Sequence, residues 1–300
     1  MSQSFLSRPL RFHRPLVVFN PAAGARHRRV EKVLQGLCAL GCRPELLRTT
    51  RRGDAEDAAR EAGGLGFDLI VAAGGDGTIN ELANGLVTAA DPLPLAILPL
   101  GTANVLAAEI GLKATVPAVM SMIANGRSRR IHLGRAGERH FLLMASAGLD
   151  AAVVNGVDLK FKRQVGQLAY GVEAVRQVFD YRFPELTATI DGVVHTARMV
   201  VVCRAGCYGG PFKAAPEADI TGDRLHVVMF KRGGPLSLMR YVAALALGGL
   251  DRLADVLVVA GQSVAVGGPN GAPLQADGDI LGALPIEISV SSRTIELLMP

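Results

Sequence analysis

The chain has 300 residues, of which 49% are hydrophobic and 20% charged. That is enough to bury a sizeable core in two domains or one large one, and too apolar for wholesale disorder. Thirty-two Lys and Arg against 27 Asp and Glu leave a formal charge of +5, a mild excess that suits polyanionic ligands or a negative membrane surface and gives no reason to expect nucleic acid as a partner. Trp is absent, so Ala, Val, Leu and Ile must build the core, and the 35 glycines follow no G-X-Y period.

An apolar run, Pro15 to Phe19, ends at Asn20-Pro21 and Gly24, and Arg26 to Leu40 follows with helical spacing at Val30, Val33, Leu34 and Leu37. Glu45 to Arg48 leads to the turn Arg52-Gly53-Asp54 and a helix from Asp54 to Ala62 that Asp54 is expected to cap. Asp68 to Ala73 is a continuous apolar strand entering Gly74-Gly75-Asp76-Gly77. A helix from Thr78 to Val87, a strand from Pro94 to Leu98 and a helix-like run from Ala103 to Ile110 come next. This alternation predicts a three-layer α/β domain with a mostly parallel sheet over residues 1–130, with the segment from about 291 to 300 able to pack back onto it.

After Asn125-Gly126-Arg127 the pattern changes. Ile131–Gly134, Phe141–Ala145, Leu186–Ile190, Met199–Cys203, Leu225–Phe230, Ser263–Val266 and Ile286–Val290 read as short strands separated by turns. Helical insertions are expected at Gln164–Phe179 and Leu236–Leu253. Residues 131–290 thus read as an antiparallel, sandwich-like β domain, and edge-strand pairing between such domains offers a route to a homodimer.

The first fourteen residues carry Arg8, Arg11, His13 and Arg14 without an apolar segment behind them, so no secretory signal is expected. The most apolar stretch, Tyr241–Leu250, has about half of the ~20 residues that a bilayer span requires, and any membrane contact is therefore expected to be peripheral. Cys38/Cys42 and Cys203/Cys207 repeat one spacing. Zinc is one reading; buried free thiols in a reducing, cytoplasmic compartment are the plainer one.

Three glycine-containing turns each follow an apolar strand in the first half: Asn20 to Gly24, Gly74 to Thr78 and Leu100 to Asn104. Ligands of open α/β sheets bind at the carboxyl ends of the strands, so the three loops should converge. Glycines allow backbone N–H groups to approach phosphates, and Thr78 and Thr102 offer hydroxyls. Asp76 is a carboxylate where an anion would be repelled unless a metal intervenes, which points to a Mg2+-bound nucleotide. Neither a Walker A sequence nor a G-x-G-x-x-G fingerprint is present.

The chain resembles the diacylglycerol kinase catalytic-domain family, with its sphingosine and ceramide kinase relatives, and more remotely the NAD kinase and phosphofructokinase superfamily. The resemblance lies in FNPAAG (19–24), TRRGDA (50–55), GGDGTINEL (74–82), LPLGTAN (98–104), SAGLDAAVV (146–154), KFKRQVGQLAYG (160–171), GGPFKAAPEAD (209–219) and QADGD (275–279). It implies ATP in a cleft between two domains and transfer of the γ-phosphoryl group to a lipid hydroxyl, diacylglycerol first and a sphingoid base or ceramide next. The rivals are an NAD kinase-like activity and a non-catalytic nucleotide- or lipid-binding regulator. Nucleotide contacts map onto Asn20, Pro21, Ala22, Ala23, Gly24, Thr49 (or its neighbour Thr50), Gly74, Gly75, Asp76, Gly77, Thr78, Ile79, Asn80 and Thr102.

The family's proton acceptor is the last acidic residue of a D-G-E motif, which reads Asp277-Gly278-Asp279 here, so the role falls to Asp279, one methylene shorter. Asp-Gly is otherwise an ordinary hairpin turn. Asp150 matches an acidic position near the acceptor and could equally cap a helix. Asn104 is followed by Val105 where many members carry an acidic residue, so recognition of the substrate hydroxyl is expected to differ. A structural Mg2+ site of the family falls on Asp219 and Asp223, with the Asp-Gly order transposed; solvated turn carboxylates are the alternative. Lys160, Lys162 and Arg163 precede an amphipathic run, Val165 to Phe179, which reads either as a solvated helix or as a membrane-docking element.

Overall fold

The computed structural model describes residues 11–23, 27–156 and 181–300, which divide into two compact units. The first holds residues up to 101, then 110–130 and 295–300; the second holds 102–109 and 131–294. Gly24, the basic cluster Lys160, Lys162 and Arg163, and the helix expected at 164–179 lie outside the described residues.

In the first unit, strands β1 (Pro15–Phe19), β2 (Glu45–Arg48), β3 (Leu69–Gly74) and β4 (Leu95–Pro99) form a parallel sheet in the order β2-β1-β3-β4. Every residue of β1, β3 and β4 is buried, which is why they read as unbroken apolar runs rather than as alternation. Helix α1 (His27–Ala39) packs on α5 (Val116–Asn125), and α2 (Asp54–Glu61) packs on α3 (Asp76–Thr88). Only α5 escapes the sequence reading. The structure starts it at Thr115, whose Oγ1 accepts the Ala118 N–H, and stops it at Gly126 with φ 58°.

Asp54 does not cap α2. It is the first helical residue, and its Oδ2 accepts the N–H of Thr50 at 2.7 Å and of Arg51 at 3.0 Å, tying down the turn after β2 instead.

The short helix α4 (Val105–Glu109) groups with the second unit rather than with the first 130 residues. Its Glu109 carboxylate accepts the Cys207 N–H at 2.9 Å and pairs with Lys213 at 3.0 Å. Burial alone would raise the Glu109 pKa, but Lys213 and Cys207 prevail and hold it below its usual value.

The second unit has two antiparallel layers. One contains β7 (Met144–Ala147), β10 (Met199–Cys203), β13 (Leu225–Phe230), β14 (Val256–Gly261), β16 (Pro273–Ala276) and β17 (Asp279–Ala283), in the order β14-β13-β10-β7-β16-β17. The other pairs β8 (Leu186–Ile190) and β9 (Val193–Ala197) with β15 (Ser263–Gly267) and the first part of β18 (Ile286–Leu298). Strand β5 (Ser128–Ala136) pairs with β18 and with β6 (Arg139–Phe141), and β11 (Cys207–Tyr208) forms a separate ribbon with β12 (Phe212–Lys213). Ala147, Val200, Val202, Val227 and Met229 meet Leu186, Ile190, Val264 and Ile288 in one shared apolar core. Strand β18 runs far beyond Val290, and its Leu297 pairs with Leu95 of β4 in the first unit's parallel sheet.

The helix expected over 236–253 is α7 (Pro235–Ala246), which ends ahead of Gly248 and Gly249. Among the described residues no helix is long and apolar enough to cross a membrane.

Glycine 85 of α3 sets the spacing of the α2–α3 pair: a Cβ there would lie 2.2 Å from the Glu56 carbonyl oxygen and 2.8 Å from Ala59 Cβ. Backbone cannot yield as a side-chain tip can. Gly85→Ala is therefore expected to destabilise by about 1–3 kcal/mol despite alanine's better helix propensity, as measured by urea unfolding.

Candidate active site

The strand order reverses between β1 and β3, so the crevice at their carboxyl ends is the topological switch point of the parallel sheet. The loops that leave these strands are fastened to each other there. Asn20 Nδ2 donates to Thr78 Oγ1 at 3.0 Å, the Asn20 N–H donates to the Ala73 carbonyl, and Asn20 Oδ1 accepts the Ala22 N–H at 2.9 Å. Pro21 and Ala22 lie exposed in a single helical turn, Pro21–Ala23. Thr49 joins the same edge, its N–H donating to the Phe19 carbonyl at 2.9 Å.

Each glycine of the Gly74–Thr78 loop has a distinct reason. A Cβ on Gly74 would lie 2.5 Å from Thr78 Oγ1, and one on Gly75 would lie 3.3 Å from Gly101 Cα. Gly77 differs: its Cβ position is open space, so packing does not demand glycine there. Helix α3 begins at Asp76 without a side-chain cap at Gly75, and its N-terminus carries the positive end of the helix dipole. The buried Thr78 hydroxyl accepts from Asn20, and Ile79 is buried, so these two contribute by shaping the loop. Asn80 Oδ1 accepts from Asn84 Nδ2 at 3.1 Å on the next turn.

In the second unit, Asp277 and Gly278 occupy the left-handed region at φ 49° and 85° and turn β16 into β17. The Asp277 carboxylate accepts the N–H groups of Leu142, Leu143 and Met144 at 2.7, 3.0 and 3.0 Å. Two residues earlier, Gln275 Nε2 donates to Ser146 Oγ at 2.7 Å and to Asp150 Oδ2 at 2.9 Å, while its Oε1 accepts the Gly278 N–H at 2.9 Å. Ser146 Oγ also donates to Asp150 Oδ2, and the Tyr208 hydroxyl bonds the same carboxylate. Burial first, then Asp150, push the Tyr208 phenol well above its usual range, so it stays a donor.

One hydrogen-bonded run thus leads from Asp150, the second residue of α6 (Leu149–Gly156), to the residue preceding Asp279. Thr102 is exposed, and Asn104 (φ 47°) starts α4, its carbonyl accepting the Ala108 N–H. Ser146, Tyr208 and the linking role of Gln275 were missed from sequence; the four-residue spacing of Ser146 and Asp150 and the alternation of Gln275 with the Asp-Gly turn were the available signals.

A family profile described as the diacylglycerol kinase catalytic domain matches residues 14–136, and one described as a YegS C-terminal NAD kinase beta sandwich-like domain matches 144–299. The chain is 30% identical over 294 residues to a diacylglycerol kinase of Bacillus subtilis (strain 168), covering 96% of each. It is 23% identical to a diacylglycerol kinase of Staphylococcus aureus (strain MRSA252), covering 96% of this chain and 92% of the other. A crystal structure of a diacylglycerol kinase from Bacillus anthracis str. Sterne shares the fold with a TM-score of 0.78 at 22% identity, over 96% of this chain and 98% of that one. The chain belongs to the diacylglycerol kinase family of lipid kinases.

The family's structural Mg2+ site can be tested against the turn at 219–224, and the residues do not fit it. The Asp219 carboxylate accepts the Thr221 N–H and hydroxyl at 2.8 Å. The surrounding carbonyls already serve a cation of the chain itself. Fully buried Arg204 donates to the carbonyls of His132 (3.1 Å), Ile220 (3.1 Å), Gly222 (2.7 Å), Asp219 (3.4 Å) and Arg224. Burial draws its pKa down to about 10, against the pull of Asp219 and Asp223, which leaves it charged at neutral pH. Among the described residues no cluster of three or more His, Cys, Asp or Glu could hold a metal, and all four cysteines are free thiols. Chelation with EDTA should therefore leave the melting temperature of the nucleotide-free protein unchanged. Arg204→Met should cost about 3 kcal/mol or more, because it strands buried carbonyls. A clear drop in wild-type melting temperature with EDTA would contradict this reading.

Proposed function

We infer that this protein transfers the γ-phosphoryl group of ATP, as its Mg2+ complex, to the free hydroxyl of diacylglycerol, forming phosphatidic acid and ADP. The observation that carries the reading is the hydrogen-bonded run from Asp150 through Gln275 to the turn that presents Asp279. The loops after β1, β2 and β3 hold the nucleotide. Backbone N–H groups of Gly75, Asp76 and Gly77, at the start of α3, take the phosphate oxygens over the open Gly77 position, with Asn20 to Ala23, Thr49 and Asn80 around them and the Thr102 hydroxyl as a further donor. Bound Mg2+ supplies charge neutralisation across the phosphates, and Asp76 orders its water shell.

Asp279 accepts the proton of the lipid hydroxyl as that oxygen bonds to phosphorus and the bond to the departing ADP oxygen breaks. Asp150 orients the hydroxyl-bearing head group. Ser146, Gln275 and Tyr208 occupy three of the roughly four acceptor sites of its carboxylate, leaving one for the substrate. Asn104, next to Val105 where many family members carry an acidic residue, contributes an amide to head-group recognition. A bilayer-borne acceptor makes the enzyme a peripheral membrane protein of the cytoplasm.

Vesicles containing diacylglycerol, incubated with γ-labelled ATP and Mg2+, test this. Label should enter the organic phase as phosphatidic acid, and Asp279→Asn should lower kcat about 10^2–10^4-fold while ATP binding persists. Full turnover by that variant, exclusive transfer to NAD, or ATP binding without any transfer would overturn the assignment.

A further inference from the structure

Helix α7 is fixed to the second unit by one face only. Tyr241 is buried, its ring centroid 4.9 Å from that of Phe230, and its hydroxyl donates to Asp255 at 2.7 Å; Arg240 donates to the same carboxylate. The helix is therefore held in place, yet its outer face is apolar and open to solvent. Leu236 is 83% exposed, Met239 68%, Val242 58% and Leu247, just past the helix end, 87%. The spacing 236, 239, 242/243, 246/247 follows one side of a helix. Single exposed apolar residues are ordinary, but four large ones in register on an anchored helix form a patch that water does not favour.

The charge around this patch selects its partner. From residue 231 to 250 the chain carries Lys231, Arg232 and Arg240 and no Asp or Glu. Lys231 and Arg232 stand exposed just ahead of the helix, Arg232 with its Nε 3.8 Å from Asp255 and most of its side chain still in solvent. The nearest carboxylate in sequence beyond α7's inner contacts, Asp251, follows the helix, and Asp255 is buried beneath it. We propose that the outer face of α7 is the surface through which this protein seats on an anionic lipid bilayer, with Leu236, Met239, Val242 and Leu247 entering the acyl boundary and Lys231 and Arg232 meeting lipid phosphates. An interfacial helix combines these two features: an apolar face lying in the plane of the membrane and cations at headgroup level. A second copy of the chain is a poorer occupant. Two-fold pairing of the same patch would bring two copies of Lys231 and Arg232 together, with only Asp255, already shared by Arg232 and Arg240 within each copy, to answer them.

The proposal rests on the lipid-kinase reading for its purpose but not for its geometry, so binding and turnover are measured separately. Nucleotide-free protein is sedimented with vesicles of phosphatidylcholine alone or with 30% phosphatidylglycerol, a fraction of about one anionic lipid in three. Wild type should partition onto the anionic vesicles. The triple variant Leu236→Ser, Met239→Ser, Leu247→Ser and the double variant Lys231→Glu, Arg232→Glu should each bind at least tenfold more weakly. Both change exposed side chains, and an unchanged melting temperature confirms that they fold. Phosphorylation of a short-chain diacylglycerol dispersed below its aggregation limit should stay within about twofold of wild type, while turnover on vesicles falls with binding. Unchanged sedimentation of either variant overturns the docking face. So does a wild-type dimer in analytical ultracentrifugation that the triple variant dissociates. If wild type binds vesicles through this face but phosphorylates no lipid, the functional reading fails and the docking face stands.

Discussion

The carboxylate of Asp277 accepts hydrogen bonds from three successive backbone N–H groups, those of Leu142, Leu143 and Met144, and the geometry of the second unit's site follows from that clamp. A carboxylate with three such donors fixes its own residue in a left-handed conformation that a non-glycine side chain would otherwise avoid. The turn it creates places Gly278 where its N–H can reach Gln275 Oε1, and the amide's other end reaches Ser146 and Asp150. On the proposed function, the two aspartates of the motif therefore divide the work. Asp277 builds the turn, and Asp279, on the first residue of the next strand, is the group the turn presents.

The first unit was legible because its strands are buried on both faces and its turns are written in glycine. Runs such as Leu69–Ala73 admit no other reading once Gly74-Gly75 follows, and the loops at strand ends fall where the sheet order reverses. The second unit was less so. The expected helix ran on to Leu253, past the break that the glycines at 248 and 249 mark, and strand β14 was left unassigned because Val256 to Val259 is a short apolar run without alternation. The boundary of the first unit was displaced because α4 belongs by its contacts to Cys207 and Lys213, a hundred residues away, and such pairing leaves no local trace. In the site, Asp150 and Asp279 are expectations from resemblance, whereas Gln275, whose amide reaches Asp150 and the Gly278 N–H, was hidden in an ordinary strand.

Cations of the chain appear in two different settings. Arg204 is out of water, and five carbonyl acceptors compensate its desolvation; its planar donors match them as a lysine could not. Lys231 and Arg232 are exposed beside an apolar helix face, although Arg232 also lies 3.8 Å from the Asp255 carboxylate. The first arrangement organises a turn from within, and the second keeps cationic groups at the surface. The distinction is one of desolvation, which the residue count of a basic protein does not reveal.

A double-mutant cycle on kcat for lipid phosphorylation, using Gln275→Leu and Asp279→Asn, tests the account most directly. If Gln275 acts by orienting the turn that carries Asp279, the Gln275 substitution slows the wild-type enzyme but costs almost nothing further once Asp279 is changed. Additive losses would mean that the two residues act independently, and the hydrogen-bonded run from Asp150 to Asp279 would not be the device that positions the proton acceptor.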